Sequence, residues 1–213
     1  MKGVDIVKKR YYAAYGSNLN VSQMSYRCPF AKLYGTGVIK DYTLQFKGNP
    51  ESAFATIAPK NGSSVPAAVW EIQPSDERSL DRYEGYPSHY FKKNVPVRLN
   101  DGQEVNAMVY VMNLKMNFGL PSTHYYRTVH QGYMDCCLDT DVLSEALGDS
   151  AQKFYTSALR NPSYRISRNF PGNTSFDEYK SEEKGYGEDC NEREEPDESD
   201  PFCSPDGMQW KGF

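Results

Sequence analysis

Ser17 and Asn18 close an aromatic, apolar run, Tyr11-Tyr12-Ala13-Ala14-Tyr15-Gly16-Ser17-Asn18-Leu19-Asn20. Gly16 lets the backbone turn where a β-carbon would clash. Ser17 and Asn18 are small polar residues suited to turns and helix caps. Such a junction can aim several backbone N–H groups in one direction, which suits an anion or a developing oxyanion. The same residues equally suit an ordinary first strand followed by a capped helix. Much further along lies Leu80-Asp81-Arg82-Tyr83-Glu84-Gly85-Tyr86-Pro87. Leu80 and Glu84 are four apart and share a helical face. If Leu80 enters the core, Glu84 follows it there at the last turn. The C-terminal end of a helix favours cations, so burial and the dipole would both raise the carboxyl pKa. A Glu tuned that way can exchange protons near neutral pH. On spacing alone, a surface Glu that caps nothing fits as well.

The elements that must hold these residues can be read in order. Lys8 to Tyr15 is a strand, and Val21 to Tyr26 one or two helical turns stopped near Pro29. Ala31 to Lys47 is one long or broken strand, bent or bulged at Gly35 and Gly37. Phe54–Ala58 and Val65–Ile72 form a hairpin through Pro59–Ser64, which carries Asn61-Gly62. A helix capped by Ser75, with Asp76 and Glu77 in its first turn, runs to about Glu84 and stops at Gly85. Tyr90–Leu99 and Gln103–Asn113 pair through Asn100-Asp101-Gly102. Pro121-Ser122-Thr123 opens a helix to about Asp135. Thr140 or Asp141 opens a third, to Leu147, and Ser150–Arg160 is a further helix stopped by Asn161-Pro162. Helices fall among antiparallel strands without regular alternation, which indicates an α+β fold.

Tyr15-Gly16-Ser17-Asn18-Leu19 and Tyr83-Glu84-Gly85, in this order and separation, resemble the γ-glutamylcyclotransferase-like (AIG2-like) family. Tyr125 through Gly132-Tyr133-Met134-Asp135 to Leu138-Asp139 looks like that family's C-terminal element. The resemblance covers roughly residues 9 to 148. It implies a small mixed β-barrel with helices packed outside. It implies an enzyme that cyclises a γ-glutamyl amide to 5-oxoproline and releases an amine or amino acid, with Glu84 as general acid/base. It also implies that Tyr15, Gly16, Ser17, Asn18 and Leu19 form the substrate loop. Tyr90 and Tyr125 stand at spacings similar to pocket tyrosines of the family, with Tyr126 the alternative to Tyr125. Family relatives are expected to differ in leaving group: glutathione, γ-glutamyl amino acids, γ-glutamyl-lysine-type amines or a protected natural product. The alternative reading is a non-catalytic binding or regulatory module on the same fold.

Composition bounds the rest. Of 213 residues, 38% are hydrophobic and the mean hydropathy is −0.73. The length suffices for one domain with a sizeable core. Residues 1–176 carry a net charge of +5 and residues 177–213 one of −9. The chain is therefore divided as a domain over 1–148, an extension over 149–176 and an acidic tail over 177–213, expected to be disordered. The tail either solubilises the chain or folds back over the basic domain. No apolar run reaches the ~20 residues of a membrane span, and Met1–Lys9 has no apolar signal core. Five cysteines without zinc spacing suit a cytoplasmic protein with free thiols. His89, His124 and His130 have no metal pattern, and no phosphate-binding glycine motif occurs, so no cofactor is expected. The basic residues are scattered, which gives nucleic-acid binding no support. The expected partner is a small γ-glutamyl substrate.

Overall fold

The computed structural model describes residues 9–160. The extension beyond Arg160 and the acidic tail lie outside the described residues. The chain divides into two units, Met1–Thr156 and Ser157–Phe213. The second is described only over Ser157–Arg160, so the fold below is that of the first.

Five strands close into a barrel in the order β1-β3-β2-β4-β5. They are β1 Arg10–Ala14, β2 Lys32–Asn49, β3 Ser52–Ile72, β4 Tyr90–Leu99 and β5 Glu104–Met112. All neighbours are antiparallel except β1 and β5, which close the barrel in parallel through Tyr12 and Met108. Four helices follow the strands: α1 Val21–Arg27, α2 Pro74–Glu84, α3 Thr123–Asp135 and α4 Asp141–Arg160. Ile39, Phe46, Ile57, Val69, Val97 and Val109 are buried, as inward positions of a small barrel must be. The α+β barrel with outer helices is thus the observed fold.

Three local expectations need correction. The hairpin is β2–β3, turning between Asn49 and Ser52, and β3 runs unbroken through Pro59–Ser64. Asn61-Gly62 makes a bulge instead of a reversal. Asp41 (φ 59°) stands across from Lys60–Ser63, and its Oδ1 accepts the Gly62 N–H at 2.9 Å. An Asn-Gly pair supplies a left-handed backbone to either structure; the long partner strand β2 decides between them. The two helices expected after Thr140 are one, α4. Ser150 opens nothing, since its hydroxyl lies inside the helix and accepts the Phe46 N–H at 2.9 Å. Finally, α2 is capped by Gln73, not Ser75. Pro74 takes the first helical position, where its missing N–H costs nothing, and Asp76 Oδ2 accepts the Gln73 N–H at 3.0 Å.

Candidate active site

Glu84 owes its position to how α2 is fastened. Leu80 is fully buried, and neighbouring residues on the same stripe tie the helix to the barrel wall. Lys92 of β4 bridges Glu77 (2.6 Å) and Asp81 (2.9 Å), and Tyr110 of β5 donates to Asp81 at 2.7 Å. One turn after Leu80, Glu84 therefore faces the end of the barrel. Gly85 stops the helix in the left-handed region at φ 62°, where any β-carbon would also sit 2.8 Å from His89 Nδ1.

The loop after β1 arrives at the same place. Ala13 and Ala14 are buried strand residues. Beyond Gly16, residues Ser17–Leu19 make a single 3-10 turn, and Asn20 caps α1 by accepting the Gln23 N–H at 2.9 Å. Helix α3 braces this turn from behind. Cys136 Sγ donates to the Leu19 carbonyl at 3.4 Å, and Asp135 accepts the Val21 N–H at 3.0 Å. Gly132 allows the contact: a β-carbon there would lie 2.5 Å from Asn20 N and 2.6 Å from Leu19 Cβ.

Between loop and helix lies a small cleft of about 300 Å³, counting the open solvent at its mouth. Tyr15, Gly16, Ser17, Asn18, Glu84, Tyr90 and Tyr125 line it, together with Tyr12, Ala55 and Tyr110. Leu19 does not. It is fully buried, and its N–H donates to the Gly16 carbonyl at 2.9 Å, so neither its side chain nor its amide is offered to the cavity. Tyr126, the alternative to Tyr125, is a buried neighbour of Phe46. Among the described residues, no group of three His, Cys, Asp or Glu could hold a metal ion, and no helix is long and apolar enough to cross a membrane.

Hydrogen bonds order the lining. Asn18 Nδ2 donates to Glu84 Oε1 and to Tyr12 Oη, both at 2.9 Å. Tyr15 donates to the Tyr110 carbonyl. Tyr90 and Tyr125 meet the same residue of β3. Tyr90 donates to the Ala55 carbonyl at 3.0 Å, whereas Tyr125 Oη accepts the Ala55 N–H at 3.2 Å. Ser17 Oγ and Tyr83 Oη are 3.1 Å apart.

Burial pushes the Glu84 carboxyl up to about 7, although the Arg27 charge and the Asn18 hydrogen bond both pull it down. Desolvation also lifts Tyr12, Tyr15, Tyr90, Tyr110 and Tyr125 above the usual tyrosine value. The cavity therefore carries neutral phenols around one carboxyl raised toward neutral pH. Such a site can bind a small polar group and move protons on and off it.

Arg27, Tyr12 and Tyr110 escaped the sequence reading. Arg27 looks like a cation at a helix end, and Tyr12 and Tyr110 look like ordinary strand residues. The two tyrosines are brought together only when β1 and β5 become neighbours, with ring centroids 5.8 Å apart.

Known proteins are similar to this chain in sequence and in fold. The family described as "Gamma-glutamyl cyclotransferase, AIG2-like" matches residues 12–131. Gamma-glutamylcyclotransferase of Bos taurus is 32% identical over 130 residues, which is 57% of this chain and 68% of that protein. A crystal structure of an uncharacterized Homo sapiens protein superposes with a TM-score of 0.60 at 27% identity, over 65% of this chain and 86% of that one. A solved gamma-glutamyl cyclotransferase has the same fold, with a TM-score of 0.59 at 24% identity over 84% of this chain and all of that one. The chain belongs to the AIG2-like gamma-glutamyl cyclotransferase family.

Proposed function

We propose that this family member cyclises a γ-glutamyl amide to 5-oxoproline and releases the amine, with Glu84 transferring the protons. The observation that carries the reading is the Glu84 carboxyl, partly buried at the cavity and joined to the loop residue Asn18 at 2.9 Å. The Glu84 carboxylate takes a proton from the substrate's α-ammonium. The freed amine attacks the γ-carbonyl carbon, a C–N bond forms, and the carbonyl pair moves onto oxygen. When the carbonyl re-forms, the bond to the leaving nitrogen breaks and Glu84 supplies that nitrogen with a proton. Over one turnover, two protons pass from the α-nitrogen to the departing nitrogen through the same carboxyl. A group titrating near 7 suits both directions of transfer. Nucleophile and electrophile belong to one molecule, so holding it folded supplies much of the rate. No protein nucleophile is required.

The loop Tyr15–Asn18 would hold the glutamyl end by its backbone N–H groups, with Tyr90 and Tyr125 beside it on Ala55. A pure binding module gains nothing from a carboxyl buried against its preferred charge state. The test is 5-oxoproline release from a panel spanning γ-glutamyl amino acids, glutathione and γ-glutamyl-lysine-type amines. Product from at least one of them is expected. Product from none, with the fold intact, would overturn the reading.

A further inference from the structure

We propose that Arg27 is a positioning residue: it dictates which way the Asn18 amide faces and thereby keeps a hydrogen-bond donor on the Glu84 carboxyl. The inference rests on the reading of Glu84 as the proton-transfer group. Arg27 is the last residue of α1. Its Nη1 donates to Asn18 Oδ1 at 2.5 Å, and its Nη2 donates to Tyr83 Oη at 2.8 Å and to Gln23 Oε1. The guanidinium carbon lies 3.6 Å from the centre of the Tyr83 ring, a stacking geometry that further holds it.

The two ends of an Asn amide have nearly the same shape, so partner chemistry decides its orientation. A guanidinium can only donate. It must therefore face the Asn18 oxygen, which turns the NH₂ toward Tyr12 Oη and Glu84 Oε1. A donor on Glu84 favours its ionised form. A reversed amide would present an oxygen there, which can pair only with the protonated acid. Removing Arg27 thus acts twice in the same direction: it frees the amide to reverse, and it removes a nearby positive charge. The other titratable groups lining the cavity with Glu84 are phenols: Tyr12 within β1, Tyr15 after it, Tyr90 of β4, Tyr110 of β5 and Tyr125 of α3. All are neutral near pH 7, so none replaces the Arg27 charge.

The test is a carbon-13 titration of the Glu84 side-chain carboxyl in the full-length protein, assigned by its disappearance in Glu84→Gln. Arg27→Met should raise the midpoint by about one pH unit. Arg27→Lys keeps the charge and the packing stem but loses the forked contact, and should raise it by roughly half as much. The acid limb of kcat/KM should move with it. Arg27→Lys is also the variant that keeps its fold if Arg27→Met does not. A midpoint unchanged from wild type in a folded Arg27 variant would overturn the proposal and leave Arg27 a scaffold residue. The titration needs no turnover. A protein whose Glu84 shifts as expected but makes no 5-oxoproline would sink the enzyme reading alone; one that turns over with an unmoved midpoint would sink this inference alone.

Discussion

The side-chain amide of Asn18 donates to the carboxyl of Glu84 at 2.9 Å, joining residues 66 positions apart. One belongs to the turn after β1, the other to the last turn of α2. That bond is the shortest description of the site: the turn after β1, held against an acid that burial brings to about 7.

The raised acid has a thermodynamic signature. An unfolded Glu titrates near its ordinary value of 4.5, whereas the folded Glu84 titrates at about 7. Between those values the folded state holds a proton that the unfolded state has lost, so stability falls as pH rises from 4.5 through 7. The full effect is on the order of 3 kcal/mol above pH 7. Glu84→Gln has no such dependence at this site. Urea unfolding should find the two proteins about equally stable at pH 5 and the variant more stable at pH 8. Parallel curves across that range would contradict the account.

Tyr90 and Tyr125 should not behave alike. Tyr90 spends its proton on the Ala55 carbonyl, while Tyr125 accepts from the Ala55 N–H and keeps its own proton to donate. Tyr125→Phe should therefore raise KM about tenfold, the equivalent of one lost hydrogen bond of about 1.4 kcal/mol. Tyr90→Phe should raise KM less, while both variants lose about 1 kcal/mol of stability, since each leaves one backbone group of Ala55 unpaired. Steady-state kinetics would separate them; the reverse ranking of KM would refute the assignment.

Gly132 lies outside the cavity, yet its replacement should reach it. A β-carbon at this position meets Asn20 backbone at 2.5 Å and Leu19 Cβ at 2.6 Å. In Gly132→Ala, α3 must move off the turn that carries Asn18. The expected cost is about 2 kcal/mol of stability, with kcat lowered in the protein that remains folded. Thermal melting and kcat at saturating substrate check this, and a variant equal to wild type in both would count against the bracing role of α3.

How much was legible beforehand follows the range of the physics involved. Ser122 accepts the Tyr125 N–H at 3.2 Å as the cap of α3, and Gly85 ends α2 at φ 62°. Both are local signals, and both were visible in the residues themselves. Asn61-Gly62 was visible as a backbone irregularity, but a bulge differs from a reversal only by the strand that lies alongside, and β2 lies 21 residues of sequence away at Asp41–Gly62. The helix break expected near Ser150 failed for a similar reason, because that hydroxyl finds its partner on Phe46. Within the site, the loop and Glu84 announced themselves as motifs. Leu19 belongs to the motif yet serves the core, and Arg27 lies outside it yet touches Asn18.

The most direct test of the central claim is kcat of Glu84→Gln at saturating substrate, using whichever γ-glutamyl compound the wild type cyclises. Gln keeps the shape and can still accept from Asn18, but it cannot take or give the proton. The account predicts a fall in kcat of about 10³-fold, within the range for positioned acid–base groups, with KM changed by no more than a few-fold. A variant that retains wild-type kcat would show that the protons travel by another route, and the assignment of Glu84 would be wrong.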